Sequence, residues 1–299
     1  FHSEIKFIKE RVTETLGDLY GMHWPFKQHK TARNIKLLPY HKELIKSGAC
    51  FGVSGGYERP MWFSLNKSKP KYVYSYNFQN WYPSAEYETK NCRQNVGVFD
   101  LTPFSKFEIK GENAHEELQK IFTANIKNEK GICTYTQMLN PDAGIEGDVT
   151  VVCLDKNNFR IISSAETRER DKFHIKKYLS DGVELKDVTD DYCVFGIFGP
   201  KSRSLMQQIS NDDFSNKNFK FGYAKNILIS NSKIWVQRIS YVGELGYELY
   251  IEKSEAKRMY ELIIDRGKEF NISNCGMHAL DTMRMESGFL HWGNDISPQ

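Results

Sequence analysis

Two carboxylates in this sequence stand where backbone, not a flexible side chain alone, would aim them. In residues 238–251, read as a tight β-hairpin, Tyr247, Leu249 and Ile251 share one face of the returning strand, so Glu248 and Tyr250 point to the other. Gly243 and Gly246 allow the backbone angles that a sharp reversal needs. Asp148 stands immediately before a strand, after a turn built from Asn140, Pro141, Asp142 and Gly144, residue types that turns select. A carboxylate held this way can grip two adjacent N–H groups by paired hydrogen bonds, accept a proton, or stabilise a developing cation. The same patterns also fit an ordinary hairpin with solvated polar groups and an ordinary turn aspartate. Arg284 and Glu286 read as structural ion partners, and His278, His291 and Trp292 as core or rim.

Composition removes several classes of function. The formal charge of +3 is a near-balance of 41 basic and 38 acidic residues and gives no argument for nucleic acid. No run approaches the roughly 18 apolar residues that a membrane span needs. Cys50, Cys92, Cys133, Cys153, Cys193 and Cys275 form no C-x-x-C pair, and the histidines show no H-x-x-x-H or H-E-x-x-H spacing. A metal site is therefore unsupported, and a reducing compartment fits the scattered thiols better than a disulfide framework. A chain of 299 residues is long enough for about two cored domains. It opens with Phe1 and shows no signal-peptide pattern, so it is expected to be an excerpt of a longer polypeptide.

The elements that must hold the two carboxylates follow from spacing. Ile5, Ile8, Val12, Leu16 and Leu19 predict an amphipathic helix ending near Gly21, which Trp24-Pro25-Phe26 cannot extend. Residues 40–46 predict a short helix stopped by Gly48, 55–63 a loop rich in glycine and aromatics, and 64–80 a surface linker. A helix over 86–93 precedes a strand at 107–111. Asn113 and Glu116 then read as a capping pair for a helix turning Ala114, Leu118, Ile121 and Phe122 inward. Beyond the 140–144 turn come a strand at 159–163, a charged helix at 167–179, a β segment at 188–198 and a short helix bearing Leu205, Met206 and Ile209. Ser254 reads as the cap of a helix with Met259, Tyr260 and Ile263 inward. Two similar strand-helix-strand passages, 104–187 and 188–272, predict an α+β architecture of antiparallel sheets covered by helices.

A resemblance sharpens this reading. Tyr241-Val242-Gly243-Glu244-Leu245-Gly246-Tyr247-Glu248 resembles the Y-[TV]-G-E-x-G-[FYW]-E signature of the glycine-cleavage T-protein, and the leucine before its second glycine is similar to the dimethylglycine/sarcosine dehydrogenase family. Residues 96–104 resemble the family's VGVFDLSxF element, and Asn125 its xxNxI position. Residues 135–151, which start at Tyr135 and contain Asp148, resemble its YTxMLNxxGGxxxDLTV hairpin. Gly196-Ile197-Phe198-Gly199-Pro200-Lys201-Ser202-Arg203 and the run from Arg284 to Ile296 resemble later elements. Ala32-Arg33-Asn34, Leu38-Pro39-Tyr40-His41 and residues 58–63 resemble the segment joining the flavin oxidase half to the folate half.

The resemblance implies a glycine-cleavage T-protein-like fold whose C-terminal β-barrel domain is not present in this chain. It implies a connecting segment at 1–70, a discontinuous folate-binding domain of 71–103 plus 188–299, and a second domain inserted at 104–187. The implied activity is the tetrahydrofolate-dependent one-carbon transfer of an FAD-dependent dehydrogenase, capturing the oxidised N-methyl carbon of a glycine-derived iminium as 5,10-methylenetetrahydrofolate. Asp148 would be catalytic, and Tyr241, Glu248, Tyr135 and Asn125 would bind the folate. FAD, with an electron-transfer partner, would belong to an upstream half, since no G-x-G-x-x-G occurs here. Relatives imply a mitochondrial matrix enzyme in a eukaryote and a cytoplasmic one in a bacterium. One departure is Ala279-Leu280-Asp281, where many T-proteins carry an arginine that contacts the folate. A stand-alone aminomethyltransferase and a non-catalytic subunit of the same fold, such as the regulatory subunit of pyruvate dehydrogenase phosphatase, are the alternatives. Retention of Asp148, Tyr241 and Glu248 favours a working site.

Overall fold

A computed structural model describes residues 4–66 and 70–298. The chain begins with helix α1 (Ile5–Gly17), α2 (His41–Lys46), strands β1 (Ala49–Ser54) and β2 (Tyr57–Phe63), α3 (Tyr82–Gln94) and β3 (Val96–Asp100). It continues through β4 (Ser105–Lys110), α4 (Ala114–Ile121), β5 (Cys133–Leu139), β6 (Ile145–Asp155), β7 (Asn158–Ser163), α5 (Arg168–Lys177) and β8 (Glu184–Asp187). The last part holds β9 (Tyr192–Phe198), α6 (Ser202–Ile209), β10 (Ala224–Ile229), β11 (Ser232–Gln237), β12 (Gly246–Glu252), α7 (Ala256–Gly267), β13 (Ile272–Cys275) and α8 (Met277–Glu286).

Two larger sheets carry the architecture. One has the order β10-β11-β12-β9-β3-β13, the other β5-β6-β7-β4-β8, and neither closes into a barrel. The expected antiparallel pairing holds except where β13 joins β3 in parallel, which makes the first sheet mixed. Parallel pairing needs a crossover, here the whole of residues 101–271, and α3, which precedes β3, packs against both strands of the pair. Each sheet buries one face against helices. Ile197, Val236, Tyr247, Leu249 and Ile251 meet Leu205 and Met206 of α6 and Met259 and Ile263 of α7 in one core. Phe107, Ile109, Val149, Val151, Phe159 and Ile161 meet Leu118 of α4 and Ile175 of α5 in another. Burying each such side chain contributes about 1.5–3 kcal/mol, and the alternation along each strand commits the remaining residues to the opposite face.

Several local expectations change. Residues 55–63 are not a loop: Gly55 and Gly56, at φ +54° and +84°, form the two-residue turn between β1 and β2, which requires positive φ at both central positions. Residues 238–251 are not a tight hairpin: β11 ends at Gln237, and an irregular connection over 238–245 leads to β12. Gly243 there does take a positive φ of +72°, whereas Gly246 is required by close approach, since a Cβ on it would fall 2.3 Å from the Phe198 ring. Neither Asn113 nor Ser254 caps a helix through its side chain; Asn113 sits at φ −95°, ψ 6°, and the N-cap of α7 is Glu255. Helix α1 ends at Gly17, short of Gly21, and buries none of its residues: Ile5 is 82% and Leu16 65% exposed. Among the described residues no helix is long and apolar enough to cross a membrane.

Candidate functional site

The faces left over from the two cores confront each other. Because Val149 and Val151 point into the second core, Asp148 and Thr150 of β6 project to the other side. The β5–β6 register sets Gln137 opposite Asp148 and Tyr135 opposite Thr150, so Tyr135 is the diagonal neighbour of Asp148 on that side. Tyr135 donates to Asp148 Oδ2 at 3.1 Å. On the first sheet, Val236 and Leu249 face their own core as a pair, so the flanking pairs, Trp235 with Tyr250 and Gln237 with Glu248, turn to the opposite face. Tyr250 donates to Glu248 Oε2 at 3.0 Å.

Arg160 of β7 joins the two walls. Its guanidinium is held by Glu108, with Nη2 at 2.5 Å and Nε at 3.1 Å from Oε1. It lies over the rings of Tyr192 and Tyr250, 4.5 and 5.4 Å from their centroids. Lys106 of β4 is fully buried and donates to the carbonyls of Thr102 and Phe104, 2.9 and 2.6 Å away, in the turn that connects the two sheets.

The surroundings tune both carboxylates. Burial pushes the Glu248 carboxyl up to about 7, against the opposing pull of the Tyr250 hydrogen bond and the Lys106 charge. Burial also holds the Asp148 carboxyl above the usual range, opposed by the Tyr135 hydrogen bond and by His291. Tyr135 is pushed up to about 12 by burial and by Asp148, so it stays a neutral donor at neutral pH. Burial brings Lys106 down to about 7.

A C-terminal arm after α8 reaches across to the Asp148 wall. Tyr241 donates to the Leu290 carbonyl at 2.6 Å and stacks on Phe289 at a centroid distance of 6.0 Å. Trp292 donates to the carbonyl of Ile145 at 2.7 Å, and Arg170 covers its ring at 3.8 Å. Arg284 anchors the arm by bonding Asp281 at 2.7 Å, Asp295, and the Phe289 carbonyl at 3.1 Å. Arg93 bonds both Glu286, at 2.7 Å, and Glu244, at 3.0 Å, so Glu244 of the motif is a structural partner and not a free ligand. The Tyr241 hydroxyl is near enough to Asp148 and Tyr135 for both to raise its pKa, after burial and against Arg284.

The structure therefore groups Asp148, Tyr135 and Tyr241 and places Glu248 on the facing wall. Asn125 lies exposed on the turn after α4, where its Oδ1 accepts from Gln119 at 3.1 Å, and no contact joins it to the others. Trp235, Gln237, Tyr250, Arg160 and Lys106 were not singled out from sequence, apart from the placement of Tyr250 beside Glu248. Reading 238 as the start of the hairpin cut off the partner strand; extending the alternation of Ile234 and Val236 one strand upstream would have exposed Trp235 and Gln237. Leu280, at the position of the T-protein arginine, is buried in the apolar cluster with Phe99, Val194 and Met283.

A polar ligand could be met by what is present. Trp235 Nε1, both amide atoms of Gln237, and Arg160 Nη1 are buried without a partner among the described residues, and Glu248 supplies a carboxylate beside them. Buried groups of this kind cost about 1–3 kcal/mol each when left unpaired, so the facing walls are chemically incomplete as they stand.

Comparison with known proteins gives the following. The GCVT N-terminal domain family matches residues 40–299, and the FAD dependent oxidoreductase central domain matches residues 1–37. The 4-methylaminobutanoate oxidase (formaldehyde-forming) of Paenarthrobacter nicotinovorans is 37% identical over 293 residues, covering 98% of this chain and 36% of that protein. Mitochondrial dimethylglycine dehydrogenase of Mus musculus is 30% identical over 295 residues, covering 98% of this chain and 34% of that protein. The chain thus spans about a third of the length of these curated relatives. The crystal structure of the glycine cleavage system aminomethyltransferase T from Bartonella henselae superimposes with a TM-score of 0.73 at 21% identity, over 89% of this chain and 66% of that one, and shares the fold.

Proposed function

We propose, on the premise that this chain belongs to the GCVT N-terminal domain family, the T-protein-like part of dimethylglycine and sarcosine dehydrogenases, that its facing walls bind tetrahydrofolate for one-carbon transfer. The observation that carries the reading is the pairing of two protonation-tuned carboxylates: Asp148 bonded to Tyr135 beside Tyr241, and Glu248 among buried polar atoms that lack partners. Glu248 would take the two adjacent N–H groups of the pterin edge, with Tyr241 and Tyr135 beside the ring. When bound, tetrahydrofolate would supply the two nitrogens, N5 and N10, that take the methylene carbon of the iminium in place of its amine nitrogen, so that the demethylated amine and one proton are released with 5,10-methylenetetrahydrofolate.

The residues of this chain provide orientation and charge. Asp148, its pKa raised by burial and its position held by Tyr135, can accept the proton displaced as the new bond forms, or balance positive charge on the incoming carbon. The arm carrying Phe289, Leu290 and Trp292 lies against Tyr241 and the start of β6, where it would keep water from that carbon. The carbon source in this reading is an N-methylated amino acid oxidised by an FAD-bearing part of the same protein, in keeping with the match of residues 1–37. No residue of this chain is assigned to FAD. An electron acceptor for that flavin part, and a matrix location in a eukaryote or a cytoplasmic one in a bacterium, belong to the same proposal.

The second reading, a subunit of this fold that binds without chemistry, draws on Leu280, which places no cation at the T-protein position. Calorimetric titration of the full-length protein with tetrahydrofolate separates the two. Saturable binding that Glu248→Ala weakens by about 1.5–3 kcal/mol, the scale of a hydrogen bond to a charged group, supports the folate site. Absence of binding by the folded protein would overturn it in favour of the non-catalytic subunit. Assaying the products with an N-methylated amino acid then distinguishes 5,10-methylenetetrahydrofolate from the formaldehyde named for the Paenarthrobacter relative.

A further inference from the structure

Gln237 is a buried polar residue without side-chain partners among the described residues. It is 0% exposed, and neither its amide nitrogen nor its amide oxygen has a hydrogen-bond partner among the described residues. A carboxamide has two donor hydrogens and two acceptor sites, and nearly all buried side chains of this kind are paired. Its place in the fold makes the deficit specific. Gln237 is directly opposite Glu248 in the β11–β12 ladder, so the two side chains rise from the same face about 5 Å apart at their Cβ atoms. The next pair on that face is Trp235 with Tyr250; Trp235 Nε1 is also buried and unpartnered, while Tyr250 is already committed to Glu248. Opposite this patch lies Arg160, 4% exposed in its own right, with Nη1 unpartnered. These unpartnered groups converge on one side of one ladder, next to the carboxylate.

Resting on the folate reading above, we infer that Gln237 is a specificity-determining residue, its amide paired with Glu248 to read a heterocyclic edge that presents two donors followed by a carbonyl oxygen. An ionised carboxylate only accepts hydrogen bonds, so Glu248 can take the amino and ring N–H groups of a 2-amino-4-oxo pteridine but can give nothing to the neighbouring oxygen. The Gln237 amide N–H supplies that donor, and its oxygen remains for a further ring N–H. Trp235 Nε1, a donor only, adds to the demand for an acceptor-bearing ligand at this spot. Together Glu248, Gln237 and Trp235 discriminate by pattern, because an edge lacking the oxygen leaves the amide unpaired again.

Two replacements of similar volume, Gln237→Leu and Gln237→Met, test this in the full-length protein through two readouts with opposite signs. Without ligand, removing a buried amide that has no partner is expected to leave Tm unchanged or raise it, whereas loss of a structural hydrogen bond would lower it. With tetrahydrofolate, calorimetric affinity is expected to fall about tenfold, the effect of one hydrogen bond in a desolvated site. That combination supports the inference. Parent-like affinity in both variants would overturn it, leaving ordered water as the partner of Gln237 while the Glu248 reading stands. Failure of the parent itself to bind tetrahydrofolate would overturn the inference and the folate reading together. A fall in Tm in both variants would also overturn it, by showing that the amide serves the fold.

Discussion

Glu248 is the residue at which pH should be felt most directly. Its carboxyl is raised from an ordinary value of 4.5 to about 7 in the folded chain, chiefly by burial. Between those values the folded state keeps a proton that the unfolded chain has released, so this contribution to stability is complete below about 4.5 and is lost as pH rises through about 7. Thermal melts of the ligand-free protein should therefore show a Tm component that declines over this window, and Glu248→Gln should flatten it. A ligand that offers two donors selects the ionised form. Tetrahydrofolate affinity should thus rise between about pH 6 and about pH 8 with proton release, detectable as a dependence of the calorimetric heat on buffer ionisation enthalpy. Asp148 belongs to the chemical step instead. Asp148→Asn should lower formation of 5,10-methylenetetrahydrofolate by about 10²–10⁴-fold while tetrahydrofolate affinity changes little, the signature of a lost proton acceptor. Equal losses in affinity and rate would reassign Asp148 to binding.

At the scale of elements, one buried carboxylate joins three segments. Glu88 of α3 accepts from the backbone N–H of Phe63 at the end of β2, 2.6 Å away, and of Gly276 at the start of α8, 2.7 Å away. Glu88→Ala would strand two buried donors and should destabilise the protein by about 2–5 kcal/mol in denaturant unfolding, with Glu88→Gln, which keeps an acceptor, costing less. Helix α1 presents the opposite situation. Its apolar stripe, predicted from spacing, exists, but nothing in the described chain covers it. Since residues 1–37 match the FAD dependent oxidoreductase central domain, the proposed occupant is the rest of that domain in the full-length protein. Ile8→Asp with Val12→Asp should then shift the stability of this chain expressed alone by less than about 1 kcal/mol in total, as surface changes do, yet lower Tm and flavin retention in the full-length protein. Equally small effects in both would leave the stripe without a partner.

Across the whole molecule, residues 38–63 act as part of the main core and as a bridge between the two sheets. Leu38, Tyr40, Leu44, Tyr57 and Phe63 are buried in the same cluster as Phe195, Tyr247 and Leu249. Lys36 and Tyr57 both bond Asp190, which also pairs with Arg168 of α5 at 3.3 Å, and Ser54 donates to Glu166 at 2.6 Å. The partly exposed ion pairs add little, but five large apolar side chains together are worth about 8–15 kcal/mol, comparable with the entire stability of a typical domain. A protein truncated to begin after Phe63 should therefore lose its near-ultraviolet circular dichroism and its cooperative melt. Retention of both would show that the sheet core stands without this segment.

What the sequence could determine by itself was whatever depends on near neighbours. The period-two run Tyr247, Leu249, Ile251 placed Glu248 on the opposite face, and the helical spacings located α4, α6 and α7 to within a few residues; the 140–144 turn located the hairpin that carries Asp148, although β6 already begins at Ile145 and holds Asp148 within it. The motif octapeptide identified the family. Turn geometry already strained this reach: Gly55-Gly56 carried the signal of a two-residue hairpin, yet the flanking Pro60 and aromatic residues masked β1 and β2. Only the tertiary structure decided which polar faces meet. That Arg160 lies over Tyr250, that Tyr241 is pinned by Leu290, and that Gln237 stands unpartnered beside Glu248 all depend on register and packing between segments distant in the chain. Periodicity assigns a side chain to a face of its own strand; the surface that face meets is set by the packing of two sheets, a non-local arrangement that no window of neighbouring residues encodes.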